Sequence, residues 1–139
     1  VACGAFDTLQ TSVNVADQQC WDLTLPLCAE RGIGVIAKRP LANVAFLFDA
    51  PRSDYSRPYW ERLRALAYPI LAGSDPVGAA LRFTLASPGV ATAIVGTSHP
   101  ERWLANARLL DAGPLPEADV AAIRARWREV AREDWIGQV

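Results

Sequence analysis

Thr92-Ala93-Ile94-Val95-Gly96-Thr97-Ser98-His99-Pro100-Glu101-Arg102-Trp103-Leu104-Ala105-Asn106 reads as a strand, a small polar turn and the start of a helix. The apolar run 91–95 fits a buried parallel strand. Gly96 permits a sharp exit. Thr97, Ser98 and His99 are each suited to cap a helix, and Pro100 suits the first helical position. A helix N-terminus offers free backbone N–H groups and partial positive charge, and Arg102 adds a planar fork of donors. The stretch is therefore an anion-friendly turn. Many α/β proteins have such a turn with nothing bound, so on its own it fits a bare connection as well as a site.

Working back from it, Ser74-Asp75-Pro76 is a cap-and-start signal for a helix at about 76–87, closed by Pro88-Gly89. Pro58 opens an earlier helix to about 71, with Trp60, Leu63, Leu66 and Ala67 on one face. Before that lies an irregular stretch, 42–57, expected as a long loop: a lid, a substrate-side loop or a cover over apolar surface. Ile33-Gly34-Val35-Ile36-Ala37 is a second buried strand. It ends in Lys38-Arg39-Pro40-Leu41, where two cations at a strand end suit either solvent or a phosphate or planar ring. A helix at about 18–31, with Asp17 as its cap, carries Pro26, which predicts a bend or a broken ladder, and stops at Arg31-Gly32. Phe6–Ser12 is a short strand. Gln10 within it is either a satisfied strand-end amide or a ligand-facing one. Residues 1–5 read as the last turn of something begun earlier. Beyond the opening stretch, its helix runs to about 111, a Gly113-Pro114-Leu115-Pro116 linker follows, and an amphipathic terminal helix spans 117–133.

Strands alternating with helices predict a parallel α/β fold. Three parallel strands do not close a barrel and leave two edges, so the 139 residues read as a segment of something larger. A hydrophobic content of 51% excludes disorder, and a net charge of −1 provides no field for nucleic acid or an anionic membrane. No apolar run approaches the roughly 18 residues of a membrane span. Arginine greatly outnumbers lysine, and most arginines fit solvated helix faces. Cys3, Cys20 and Cys28 lack metal-ligand spacing, and with a single His no zinc set assembles. Reduced thiols in a cytoplasmic protein are the simplest reading.

In register, these motifs resemble the aldo-keto reductases, NADP(H)-dependent (β/α)8 TIM barrels. Phe6–Asn14 resembles the sixth barrel strand, Leu27–Leu41 the sixth helix and seventh strand, Ala80–Leu85 with Pro88–Val90 the seventh helix and its exit, and Thr92–Asn106 the eighth strand and cofactor helix. The resemblance implies a partial barrel of three parallel strands with flanking helices, residues 1–139 forming the C-terminal portion. It implies that Gln10 bonds the nicotinamide carboxamide and that Arg39, Pro40 and Leu41 lie beside the pyrophosphate. Thr97 and Ser98 would receive the 2′-phosphate, Arg102 would pair with that phosphate and pack on adenine, and Asn106 would bind adenine. Lys38 stands where the family usually stacks an aromatic ring, Gly96 where many members have lysine, and Ala105 where glutamate is usual.

The family's catalytic Asp, Tyr, Lys and His come from earlier strands and match nothing here. Tyr55, Tyr59 and Tyr68 do not stand at matching positions, and His99 belongs to the cofactor turn. The expectation is an NADP(H)-binding portion that takes part in carbonyl reduction only when completed by a missing N-terminal half, without catalysis alone. The alternatives are a half-barrel binding module, associating through its open edges as a homo-oligomer or with a partner, and a repurposed enzyme of non-redox chemistry built on Asp49, Asp54 and Tyr55.

Overall fold

A computed structural model describes residues 1–138. Its three strands, β1 (Thr8–Ser12), β2 (Gly34–Lys38) and β3 (Val90–Ile94), form one sheet in that order. Both pairings are parallel, with Gln10 opposite Ile36 and Lys38 opposite Ile94. The register slips by one residue after Val35, which lies opposite Val90 while Ile36 lies opposite Thr92. Ala91 is thus the extra residue of a bulge.

Because side chains alternate across a strand, the sheet has two unlike faces. Leu9, Val35, Ala37, Val90 and Ala93 face the helical side and pack with Val13, Cys20, Leu25 and Cys28. Thr8, Gln10, Thr92 and Ile94 on the other face are exposed. The expectation of fully buried strands fails here. Helices cover one face only, so alternate residues of each apolar run stay in contact with solvent.

The remaining helices are α1 (Gln19–Leu23), α2 (Leu25–Glu30), α3 (Arg57–Leu66), α4 (Pro76–Leu85), α5 (Arg102–Arg108) and α6 (Glu117–Val130). The single helix expected at 18–31 is split at Thr24, with Pro26 at the start of the second piece. A proline near the first helical position sacrifices no hydrogen bond, so the break sits just ahead of it. Gly32 then leaves the helix at φ 65°. The helix expected to reach residue 71 ends at Leu66. Ala67 turns left-handed at φ 46°, and Pro69–Ala72 continues as a separate 3-10 turn. The terminal helix stops at Val130 because Ala131 is extended. In the stretch expected to be irregular, Ala42–Leu47 forms 3-10 turns around left-handed Asn43 and Val44.

The Asp75 cap is realised: its carboxylate accepts the Gly78 N–H at 2.9 Å. The Asp17 cap is not. Gln18 takes the cap position of α1 without a side-chain bond, and Asp17 turns into the interior.

A second, larger core lies between α3, α4 and α6, built on Tyr59, Leu63, Leu66, Phe83, Ile123 and Trp127. Trp21 touches both cores and stacks on Phe83 with ring centroids 5.6 Å apart. Two arginines depart from the solvated-face reading. Arg62 and Arg124 are 5% and 4% exposed. Arg124 makes a two-pronged pair with Asp22 at 2.7 and 2.8 Å, bonds Gln18 Oε1 at 3.0 Å and lies over the Trp21 ring at 4.7 Å. Both terminal nitrogens of the guanidinium are paired, which offsets its burial, while Nε has no partner.

Candidate functional site at the carboxyl ends of the strands

Parallel topology delivers the ends of β1, β2 and β3 to one end of the sheet, where α/β folds assemble their ligand sites. Gln10 projects from the open face of β1, exposed, and half-buried Lys38 ends β2 on the same face. The chain then turns sharply, with Arg39 in left-handed backbone at φ 54°. Pro40 is buried, and its carbonyl accepts the Thr84 hydroxyl at 2.9 Å. Leu41 packs against the larger core.

Arg39 is held through Nε and Nη1. Its Nε donates to the Tyr55 hydroxyl at 2.5 Å, and its Nη1 donates to Ser12 Oγ at 3.1 Å and to the Gln138 carbonyl at 2.7 Å. Tyr55 also offers its ring face, 5.4 Å from the guanidinium carbon.

The turn after β3 is looser than expected. Gly96, Thr97, Ser98 and His99 are all exposed. Thr97 Oγ1 accepts the His99 N–H at 3.1 Å, a local turn rather than a helix cap. The Arg102 N–H donates to the His99 carbonyl at 3.1 Å, and α5 begins only at Arg102. Pro100 therefore lies in the preceding turn, not at the first helical position. A helix of 7 residues has a weak dipole, and Glu101 at its cap position carries negative charge, so the helix start favours anions less than the sequence suggests. The Arg102 side chain is exposed beside His99, Glu101 and Ala105 around an open depression of about 280 Å³. Asn106 lies on another depression, of about 270 Å³, with Thr92, Val95 and Trp103. The two residues expected to share adenine thus line different hollows.

Sequence reasoning missed a buried polar cluster under the β1 end. Asp17 is 1% exposed. It accepts the Tyr59 hydroxyl at 3.4 Å and the Gln138 N–H at 3.3 Å. Burial raises its carboxyl above the usual carboxylate range, against the pull of Arg62, the Gln138 N–H, Tyr59 and Arg39. Burial and the Asp17 charge raise the Tyr59 phenol. Burial lowers Arg62, opposed chiefly by Asp17. Arg62 donates to the carbonyls of Ala16 at 3.3 Å and Ile136 at 2.9 Å. A signal was present: Arg62 falls on the same helical stripe as Tyr59, Leu63 and Leu66, where an arginine must be buried.

The residues considered for non-redox chemistry are engaged elsewhere or left in solvent. Asp54 pairs with Arg57 at 3.1 Å, Tyr55 serves Arg39, and Asp49 is exposed. Among the described residues no group of three or more His, Cys, Asp and Glu is placed to hold a metal, and no helix is long and apolar enough to cross a membrane.

No curated protein matches the chain. Solved structures do. Aldo-keto reductase AKR11C1 from Bacillus halodurans superposes in its apo form with a TM-score of 0.71 at 21% identity, over 93% of this chain and 46% of that one. Its holo form has a TM-score of 0.71 at 21% identity, over 92% and 45%. The thermostable aldo-keto reductase Tm1743, in complex with the inhibitor epalrestat, has a TM-score of 0.58 at 18% identity, over 86% and 39%. The chain thus spans less than half the length of these structures. At such identity the likeness establishes the fold: an open, three-stranded part of an aldo-keto reductase barrel. The Aldo/keto reductase family model matches residues 5–128, nearly the whole of this sheet and its helices, and the chain belongs to that family.

Proposed function

We propose that this chain forms the C-terminal, NADP(H)-binding portion of an aldo-keto reductase. The observation that carries the reading is the convergence at one end of the sheet of Gln10 from β1, Lys38–Leu41 from β2 and Gly96–Arg102 from β3. Two observations support a cofactor at the turn after β3. Space around Gly96 is open, with no atom within 4 Å of a Cβ built there. No carboxylate among the described residues pairs with the exposed Arg102. When bound, NADPH supplies a hydride to an aldehyde or ketone. The Gln10 amide would hold the nicotinamide carboxamide, and the Lys38 stem would lie along the ring. Thr97, Ser98 and Arg102 would take the 2′-phosphate, and Asn106 the adenine. No residue here is assigned as the proton donor, which a completing N-terminal half would supply.

Arg102→Ala is the direct test. Titration of cofactor fluorescence should show NADPH binding weakened by about tenfold, some 1.4 kcal/mol, and NADH binding much less. Equal loss for both would refute the phosphate role, and no NADPH binding at millimolar concentration would refute the site. Carbonyl turnover by the chain alone would overturn the missing-acid reading.

The open sheet face favours a second reading, a self-associating half-barrel. Ile94 on that face is 50% exposed, and the outer edges of β1 and β3 have no strand partner among the described residues. Light scattering decides it: a monomer at micromolar concentration counts against the module.

A further inference from the structure

The last described residues do not trail into solvent. The backbone of Ile136–Gln138 returns to the β1 end and is held there by side chains from three distant elements. The Gln138 carbonyl takes Arg39 Nη1 at 2.7 Å and Ser12 Oγ at 3.3 Å. The Gln138 N–H reaches Asp17 Oδ2 at 3.3 Å, and the Ile136 carbonyl takes Arg62 Nη2 at 2.9 Å. Trp135 anchors the approach, 5.6 Å from the Trp127 ring and under the Arg62 guanidinium. The Ile136 side chain is 60% exposed, so the grip is on backbone atoms rather than on side chains.

We infer that Ile136–Gln138 is an autoinhibitory strap that occupies Arg39 and must be displaced before Arg39 engages an anionic group such as a cofactor pyrophosphate. The inference rests on the proposed NADP(H) reading and adds a regulation to that site. Its physical basis is an exchange of acceptors. Arg39 now spends Nη1 on a neutral carbonyl and a neutral hydroxyl. A phosphate adds a full opposite charge and two oxygens that match the guanidinium fork, which a single neutral carbonyl does not, so the anion outcompetes the strap once it arrives. Loss of Arg39 loosens Gln138, whose N–H also reaches Asp17, while the Ile136 carbonyl stays on Arg62, so release begins at Gln138. Apparent affinity for the anion is then the intrinsic affinity multiplied by the fraction of molecules in which the strap is open.

The test compares the parent chain with one ending at Trp135 and with Gln138→Pro, which removes the N–H given to Asp17. Circular dichroism confirms the fold of each, and where the shortened chain does not fold, Gln138→Pro is read alone. NADPH should bind the shortened chain about tenfold more tightly, as a strap closed in roughly nine of ten molecules requires, and Gln138→Pro more tightly than the parent. Hydrogen exchange at the Gln138 amide of the parent should accelerate under saturating NADPH. Equal or weaker affinity in the folded variants overturns the strap. If neither parent nor variants bind NADPH, the cofactor reading fails, and the strap is decided separately by phenylglyoxal modification of Arg39, followed by mass spectrometry of its peptide. Faster modification in the variants upholds it, and equal rates overturn it.

Discussion

The Thr84 hydroxyl lies 2.9 Å from the Pro40 carbonyl and 3.2 Å from that of Val13, so one fully buried side chain on α4 links the exits of β1 and β2. Its single proton favours Pro40, the nearer acceptor. Thr84→Val keeps the shape and removes the donor, leaving the buried Pro40 carbonyl short of a partner. Urea denaturation should show a loss of about 1–3 kcal/mol. Proton exchange along 39–42 should accelerate together with that loss; unchanged stability would mean the hydroxyl is not what holds the turn.

Gly78 offers a test of capping against helix propensity. A Cβ built there would overlap the Asp75 carboxylate, which accepts the Gly78 N–H. Propensity alone favours Gly78→Ala by up to about 1 kcal/mol. Displacing the cap should reverse that sign and cost about 1 kcal/mol net. In an Asp75→Ala background the same change should become neutral or stabilising. The cycle is read by thermal unfolding, and additive effects would contradict the clash.

Asp17 sets a pH dependence whose direction follows from its raised carboxyl. A raised folded-state value means that the native state holds the proton more tightly than the unfolded chain does. The resulting stabilisation is complete below the unfolded value of 3.8 and is lost as pH rises through the higher folded value. Asp17→Asn lacks this titration. Its stability relative to the parent should therefore improve as pH rises from about 4 to 7. Urea midpoints across that range check it, and the opposite trend would mean Arg62 dominates burial.

The thiols divide by environment. Cys20 is buried, donates to the Ser12 carbonyl at 3.3 Å, and is pushed up to about 12 by burial and by the Asp17 charge. Cys3 is exposed. Iodoacetamide at pH 8 should label Cys3 and leave Cys20 untouched in the native chain, because the thiolate is the nucleophile. Mass spectrometry reads the outcome, and rapid Cys20 labelling would refute the buried placement.

Much of the architecture is local, which is why it was legible. Asp75-Pro76 starts α4, and Gly32 ends α2 within a few residues of the signals that specify them. The alternation of strands and helices is likewise set by short-range pattern. The turn after β3 was read less well. Thr97 bonds within its own turn, and α5 starts late, because the choice between cap and turn depends on small differences in backbone direction.

Where charge is buried was settled by long-range packing. Asp17 resembles a helix cap in its neighbourhood, yet it serves the Gln138 N–H 121 positions away. Arg39 resembles an open anion site, yet it holds a carbonyl 99 positions on. The sequence alone determined the order of elements and the family pattern, because hydrophobic period, caps and turns act between near neighbours. It could not determine which ionisable groups lose water. Desolvation depends on partners brought from distant parts of the chain, and those exist only once the fold has closed.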